Sequence, residues 1–215
     1  MLKNIMKKIV LVDGNNLLFR SYYATAYNGN TMKNSKGFPT NAIYGLINML
    51  NKIINEESPE YIMVAFDKGK TFRHEKYLDY KGGRGETPDE LKQQFPVAKK
   101  IVEALGMTYY EIDNYEADDI IGTLAKWGQK EDLEVTVLTG DRDSFQLIDK
   151  NIKVRIPRTK MGKTETEDYT VEKIEEEYGL EPLDLIEVKG LMGDASDNIP
   201  GVPGVGEKTA LNLIK

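Results

Sequence analysis

Three apolar runs in this chain end in aspartate, and that repetition restricts its fold more than any other feature. Lys8-Ile-Val-Leu-Val12 runs into Asp13, Tyr61-Ile-Met-Val-Ala-Phe66 into Asp67, and Glu134-Val-Thr-Val-Leu-Thr139 through Gly140 into Asp141. Runs so short and apolar, separated by helical patterns, read as strands buried on both faces. Thr40–Glu56 carries Ile43, Leu46, Ile47, Leu50, Ile53 and Ile54 at amphipathic helical spacing. Thr87-Pro-Asp-Glu90 reads as a capping box opening a helix that runs to about Leu105, where Gly106 stops it. Glu116–Trp127 is helical, and Met107–Ile112 and Ile152–Pro157 are further strand candidates. From Thr170 the pattern is helical and loop-like. The alternation predicts an α/β fold with a mostly parallel central sheet. Ligands of such sheets bind outside the carboxyl ends of the strands, so the three aspartates should share one rim.

With 215 residues, 40% of them hydrophobic, the chain is long enough for one sizeable domain with a small appendage. No apolar run approaches the roughly 18 residues of a membrane span. The basic start, Met1–Lys8, is followed by too short an apolar run for a secretory signal. A cytoplasmic monomer without a membrane partner is expected. There is no cysteine and a single histidine, His74, which excludes thiolate sites and argues against zinc. Carboxylates are the abundant reactive groups, 35 against 29 basic residues.

Further acids fall where the fold would gather them. Asp143 follows Asp141, while Glu116, Asp118 and Asp119 open a helix, and Asp194 and Asp197 lie in Gly193-Asp-Ala-Ser-Asp-Asn198. Singly, such acids are ordinary turn residues and helix caps. Nine together would repel one another without a cation, and an all-oxygen donor set suits Mg2+ or Mn2+. Two ions about 4 Å apart can clamp the attacking and leaving oxygens of a phosphodiester. Setting these nine acids aside turns the net charge from −6 to +3, which weakens the objection to a nucleic-acid partner.

Residues 68–86 interleave Lys68, Lys70, Arg73, Lys76, Lys81 and Arg84 with Phe72, Tyr77 and Tyr80. The mixture fits phosphate contacts and base stacking, or a solvated, partly helical loop. Arg20 could clamp a phosphate or pair with a structural carboxylate. Gly201-Val-Pro-Gly-Val-Gly-Glu-Lys-Thr209 nearly matches a phosphate-binding P-loop, but Glu207 interrupts the pattern and no strand precedes it. A glycine hairpin between helices fits better, with backbone N–H groups free for a duplex phosphate and carbonyls for a monovalent cation. Asp141-Arg-Asp143 fails as a calcium loop, because Gln146 and Ile152 stand where glycine and glutamate are needed.

Val12-Asp-Gly-Asn-Asn-Leu-Leu-Phe-Arg20, Ala65-Phe-Asp67, Phe72-Arg-His-Glu75, Tyr80-Lys-Gly-Gly-Arg84, Glu116-Ala-Asp-Asp119, Thr139-Gly-Asp-Arg-Asp143 and Gly193-Asp-Ala-Ser-Asp-Asn-Ile-Pro-Gly201 follow one another in an order that resembles the 5′-nuclease family. That family contains 5′→3′ exonucleases, flap endonucleases and the N-terminal domain of bacterial DNA polymerase I, to which the motifs come nearest. The resemblance implies a PIN-like core over residues 1–168, a helical arch at about 68–95, and a helical region with a helix-hairpin-helix over 169–215. It implies removal of RNA primers and 5′ flaps during DNA replication and repair, on DNA flaps, 5′ ends and RNA–DNA hybrids. By motif, Asp13, Asp67, Glu116, Asp118, Asp119 and Asp141 match a tighter metal site, and Asp143, Asp194 and Asp197 a second. Arg20, Lys81 and Arg84 match residues at the scissile phosphate. Arg73 matches a DNA contact, and Tyr80 a base-stacking position. Gly201, Gly204, Gly206 and Lys208 match a duplex grip that often binds K+. Family domains continue past the hairpin, so a truncated duplex grip and a following polymerase domain are expectations too. Gly82, Gly83 and Gly85 predict an arch whose order depends on bound DNA. A PIN-type ribonuclease, an inert DNA-binding relative and an aspartate phosphatase are the competing readings. The hairpin and the full acid set disfavour them.

Overall fold

A computed structural model describes residues 6–26, 32–160 and 163–215, with no side-chain placement at 159, 160 and 163. Strands β1 (Lys8–Asp13), β2 (Tyr61–Ala65), β3 (Thr108–Tyr110), β4 (Glu134–Leu138), β5 (Ile152–Lys160) and β6 (Lys163–Tyr169) form one sheet in the order β3-β2-β1-β4-β5-β6. The first five are parallel, while β6 turns back antiparallel on β5. The apolar run of β1 is sandwiched: Val10 and Val12 face one layer, and Ile9 and Leu11 the other. On the first face lie α1 (Gly14–Thr25), α2 (Asn41–Glu57) and α5 (Gln94–Ala104), which contribute Leu17, Leu18, Leu46, Leu50, Ile53, Ala98 and Val102. On the second lie α6 (Ala117–Lys130) and α7 (Val171–Tyr178), with Ile120, Ile121, Ala125 and Ile174.

Strand order reverses between β1 and β4, which are neighbours in space but far apart in sequence. Chain leaving β1 and chain leaving β4 depart to opposite faces, so a crevice opens at their carboxyl ends. Asp13 and Asp141 stand beside it, and Asp67 follows β2 next door.

Several expectations shift. The helix expected from Thr87 to Leu105 is two pieces, a short α4 (Asp89–Lys92, following α3, Phe72–Lys76) and then α5, broken at Gln93. Pro88 sits outside α4 as its N-cap, and no side-chain cap forms there. Gln94 is buried instead, its amide accepting from Ala42 and Ile43 and donating to Asn41, which fixes α5 against α2. The strand expected over Met107–Ile112 shrinks to three residues at the sheet edge. Strand β6 escaped the sequence reading because Lys163–Tyr169 is largely polar, as suits an edge strand with one wet face.

Beyond Tyr178 the packing changes. Gly179 ends α7 in the left-handed region at φ +68°, and Leu180, Val188 and Ala210 start a separate small core. Helices α8 (Asp184–Met192) and α9 (Glu207–Ile214) form that core around a two-stranded clip, β7 (Gly193–Asp194) with β8 (Ile199–Pro200). The clip demands glycine: a Cβ on Gly193 would meet the Gly201 nitrogen at 2.3 Å, and one on Gly201 would meet the Met192 carbonyl carbon at 2.2 Å. The packing boundary thus falls after the 168/169 division expected from the motifs.

Candidate metal centre

The strand-end acids are held by neutral donors. Asp13 caps α1 by accepting from the Asn16 N–H at 2.9 Å, and its other oxygen accepts from the Thr139 hydroxyl at 2.9 Å. Asp67 accepts from the Asn15 amide at 2.8 Å and from the Ala117 N–H, at the start of α6, at 2.7 Å. Asp141 accepts from the Asp143 N–H at 2.9 Å and caps a 3₁₀ turn over Arg142–Leu147. Gly140 donates to the Asn16 side chain, and a Cβ there would meet that oxygen at 2.6 Å. The turn-and-cap roles of these acids are real, and they aim the remaining lone pairs at the crevice.

Burial, together with the charges of Asp67 and Asp141, raises the Asp13 carboxyl to about 6. Asp118, in the first turn of α6, lies on an open cleft floor that solvent still reaches. Desolvation by the surrounding protein and the charges of Asp13, Asp141 and Asp67 push it up to about 8.

The other acids are held by cations. Glu116 caps α6 reciprocally with Asp119 and accepts from Lys81 at 2.9 Å. Asp119 takes a bidentate pair from Arg73 at 2.7 and 2.8 Å, which holds its carboxyl below the ordinary range. Asp197 pairs with Arg84 and receives the Lys81 N–H on its backbone carbonyl at 2.9 Å. Lys189 of α8 bridges Asp143 at 2.9 Å and Asp194 at 2.8 Å. Burial works to raise Asp194, but Lys189 and Ser196 hold it well below its usual range. Asp143 stays raised, chiefly by desolvation.

Tyr80 is buried, with its ring edge-on to His74. Its hydroxyl lies 3.1 Å from Glu116 and 3.0 Å from Asp197. The expected stacking face is therefore turned inward in this structure, because two carboxylates compete for one phenolic proton. Arg73 is likewise committed to Asp119 rather than presented outward. Residues 79–85 form a strap docked on the 194–198 loop, and the Asn198 side chain secures it by donating to the Asp79 carbonyl at 2.9 Å. The strap separates two cavities of about 580 and 600 Å³, whose walls share Lys81, Arg84, Asp118 and Asp141.

Arg20 was expected at the scissile phosphate. It lies on a different stripe of α1, lining a groove with Ser21, Tyr44, Asn48 and Lys52 and neither acid-lined cavity. Asn15, Asn16, Phe19 and Tyr23 are the α1 residues that line the cavity beside the acids. Gly201, Gly204 and Gly206 lie in the connection between α8 and α9, with Gly204 at φ +81° and Gly206 capping α9, and Lys208 is exposed in its first turn.

The residues missed from sequence are Asn15, Asn16, Thr139 and Lys189. The first three sit inside the quoted motifs, whereas no local pattern marks Lys189. Among the described residues no three carboxylates converge on one ion as placed. Their chemistry nonetheless fits hard divalent ions: all donors are oxygens, and Asp13 and Asp118 are raised by desolvation and by neighbouring carboxylates, a penalty that a bound cation would relieve.

Two family descriptions match the chain: a 5'-3' exonuclease N-terminal resolvase-like domain over residues 8–179, and a 5'-3' exonuclease C-terminal SAM fold over residues 180–215. The chain belongs to the 5′-3′ exonuclease family. The two matches meet at Gly179, where the packing changes. DNA polymerase I of Bacillus caldotenax is 51% identical over 210 residues, covering 97% of this chain and 23% of that protein. The Geobacillus stearothermophilus enzyme is 52% identical over 209 residues, again covering 97% and 23%. This exonuclease-family chain thus spans less than a quarter of these relatives' length. Among solved structures, the bacteriophage T5 5′-exonuclease with zinc bound superposes with a TM-score of 0.75 at 24% identity, covering 97% of this chain and 74% of that one. The catalytic core of Rad2 in complex with DNA substrate gives 0.62 at 21% identity, covering 98% and 61%. These likenesses confirm the expected α/β fold with a mostly parallel sheet and a helical C-terminal region. No helix among the described residues is long and apolar enough to cross a membrane.

Proposed function

We propose that this chain is a divalent-metal-dependent, structure-selective 5′ nuclease that hydrolyses DNA phosphodiesters at 5′ flaps and 5′ ends. In that role it clears RNA primers and flaps, working as a monomer alongside a polymerase region. The observation that carries the reading is the strap over the acids: a strand entering beside Asp118 and Asp141 must pass Lys81 and Arg84, and a free 5′ end or flap can do so where continuous duplex cannot.

Mg2+ or Mn2+ held by Asp13, Asp67, Glu116, Asp118, Asp119 and Asp141, and by Asp143, Asp194 and Asp197, would neutralise the phosphodiester and acidify a water. The chain's own groups do the rest. Asn15, Asn16 and Thr139 hold Asp13 and Asp67 in place. Arg73 orients Asp119. Lys81 and Arg84, once released from Glu116 and Asp197, donate to the non-bridging phosphate oxygens. Tyr80 would have to leave its buried site before it could stack on a base. Gly201, Gly204, Gly206 and Lys208 are proposed to grip the downstream duplex through backbone N–H groups and one ammonium, with K+ at the hairpin carbonyls. The polymerase I relatives support the replicative setting.

The test is a 3′-labelled DNA with a 5′ single-stranded flap, incubated with Mg2+ and with EDTA. Cutting near the flap junction in Mg2+ alone is expected. Cutting that survives EDTA, or an activity confined to RNA or to small phosphate monoesters, would overturn the reading.

A further inference from the structure

Lys189 belongs to none of the motifs, yet its ammonium is the point where the helical region touches the acids of the sheet. One nitrogen lies 2.9 Å from Asp143, on the 3₁₀ turn after β4, and 2.8 Å from Asp194, in the clip after α8. Its side chain is 39% exposed, Asp143's 41% and Asp194's 15%, so solvent reaches both partners of the Asp143 bridge and mainly the lysine of the Asp194 bridge. Two carboxylates that share one ammonium must lie within a few ångströms of each other. That spacing also suits a small divalent ion, which binds oxygen at about 2.1 Å and so needs the two acids to draw in only modestly. An ammonium is itself a compact, strongly hydrated point charge, and its flexible four-carbon stem lets it swing aside without moving α8.

We propose that Lys189 is an internal counterion that holds the Asp143–Asp194 pair in the absence of metal and is displaced when a divalent ion binds there. This rests on the reading of those acids as an ion site. Lysine occupancy makes that site the weaker of the two, because an arriving ion must first break the two ion pairs. The Asp13–Asp67–Asp118 group pays no such toll, since its donors are neutral. The exchange replaces the lysine link between the helical region and the 3₁₀ turn by one through the ion, since Asp194 follows α8 directly.

The experiment measures Mn2+ binding by electron paramagnetic resonance, without DNA, on the wild-type chain, K189M and K189R, with Asp143→Asn to identify the site. Lysine ammonium signals are followed by NMR during a Mg2+ titration. The expected result is a weaker class of ions that Asp143→Asn removes and that K189M tightens roughly two- to tenfold, the effect of sparing two partly exposed ion pairs. K189R should bind as wild type does. The hydrogen-bonded Lys189 signal should be present without metal and lost as that class fills. Unchanged or weaker binding in K189M, with the class still sensitive to Asp143→Asn, overturns the counterion role and leaves the metal reading standing. Absence of any class sensitive to Asp143→Asn overturns both.

Discussion

The two halves of the acid cluster are built in opposite ways. Asp13 and Asp67 are fixed by amides, a hydroxyl and backbone N–H groups, and with Asp118 they are left to repel one another. Glu116, Asp119 and Asp197 each pair with a lysine or arginine of their own, and Asp143 and Asp194 share Lys189. The first half is rigid and electrically frustrated, so it is prepared for a cation the protein does not itself supply. The second is satisfied by the chain and must give something up to take an ion. Preorganisation and charge balance are thus separate properties, and this site divides them between its halves.

The sharpest way to break that contrast is Asp118→Asn. Cleavage in Mg2+ should fall by on the order of a hundredfold or more, the usual scale for losing a group aimed at transition-state charge. At pH 8 without metal the same variant should unfold at a higher temperature than wild type, because the repulsion is gone. A variant that is both less active and less stable would mean that Asp118 is a structural cap.

The next largest effect is on pH. Asp13 and Asp118 have folded values near 6 and 8, above their ordinary 3.8, so the folded protein holds protons that the unfolded chain has released. Metal-free stability should therefore fall as pH rises from about 4 to 8, with Asp13 alone contributing on the order of 2 kcal/mol. Asp119 and Asp194 have lowered values, so the stability they add is present above 3.8 and fades only as pH drops below it. Mg2+ at about a hundred times its dissociation constant should restore roughly 2.7 kcal/mol at pH 8. Thermal melts from pH 5 to 8, with and without EDTA, would show a flat metal-free profile if the frustrated half does not exist.

The smallest effect tests the balanced half. Arg73→Met strips Asp119 of a bidentate partner, and since both side chains are partly exposed the loss should be about 1 kcal/mol in denaturant unfolding. A loss several times larger would show that Arg73 also carries the α6 cap through Glu116.

Much of this was legible beforehand. Buried runs ending in aspartate mark parallel strands, and the carboxyl ends of such strands share one rim, so Asp13, Asp67 and Asp141 could be gathered without coordinates. That Glu116, Asp118 and Asp119 open a helix follows from its apolar period, but the reciprocal cap between Glu116 and Asp119 came only with the structure. Other features had no local signature. Whether Arg20 or Phe19 faces the crevice depends on how α1 rolls against α2, and the edge strand β6 lacks the apolar alternation that would betray it.

The sequence by itself determined the parallel heart of the sheet and the rim of strand-end acids, because hydrophobic period and strand-end chemistry act over a few residues. Only the tertiary structure decided which cation answers which carboxylate. Arg84 meets Asp197 and Lys189 meets Asp143 across long stretches of chain. Such pairings depend on how the strap and the helical region dock, and ionic attraction acts through space without regard to chain order.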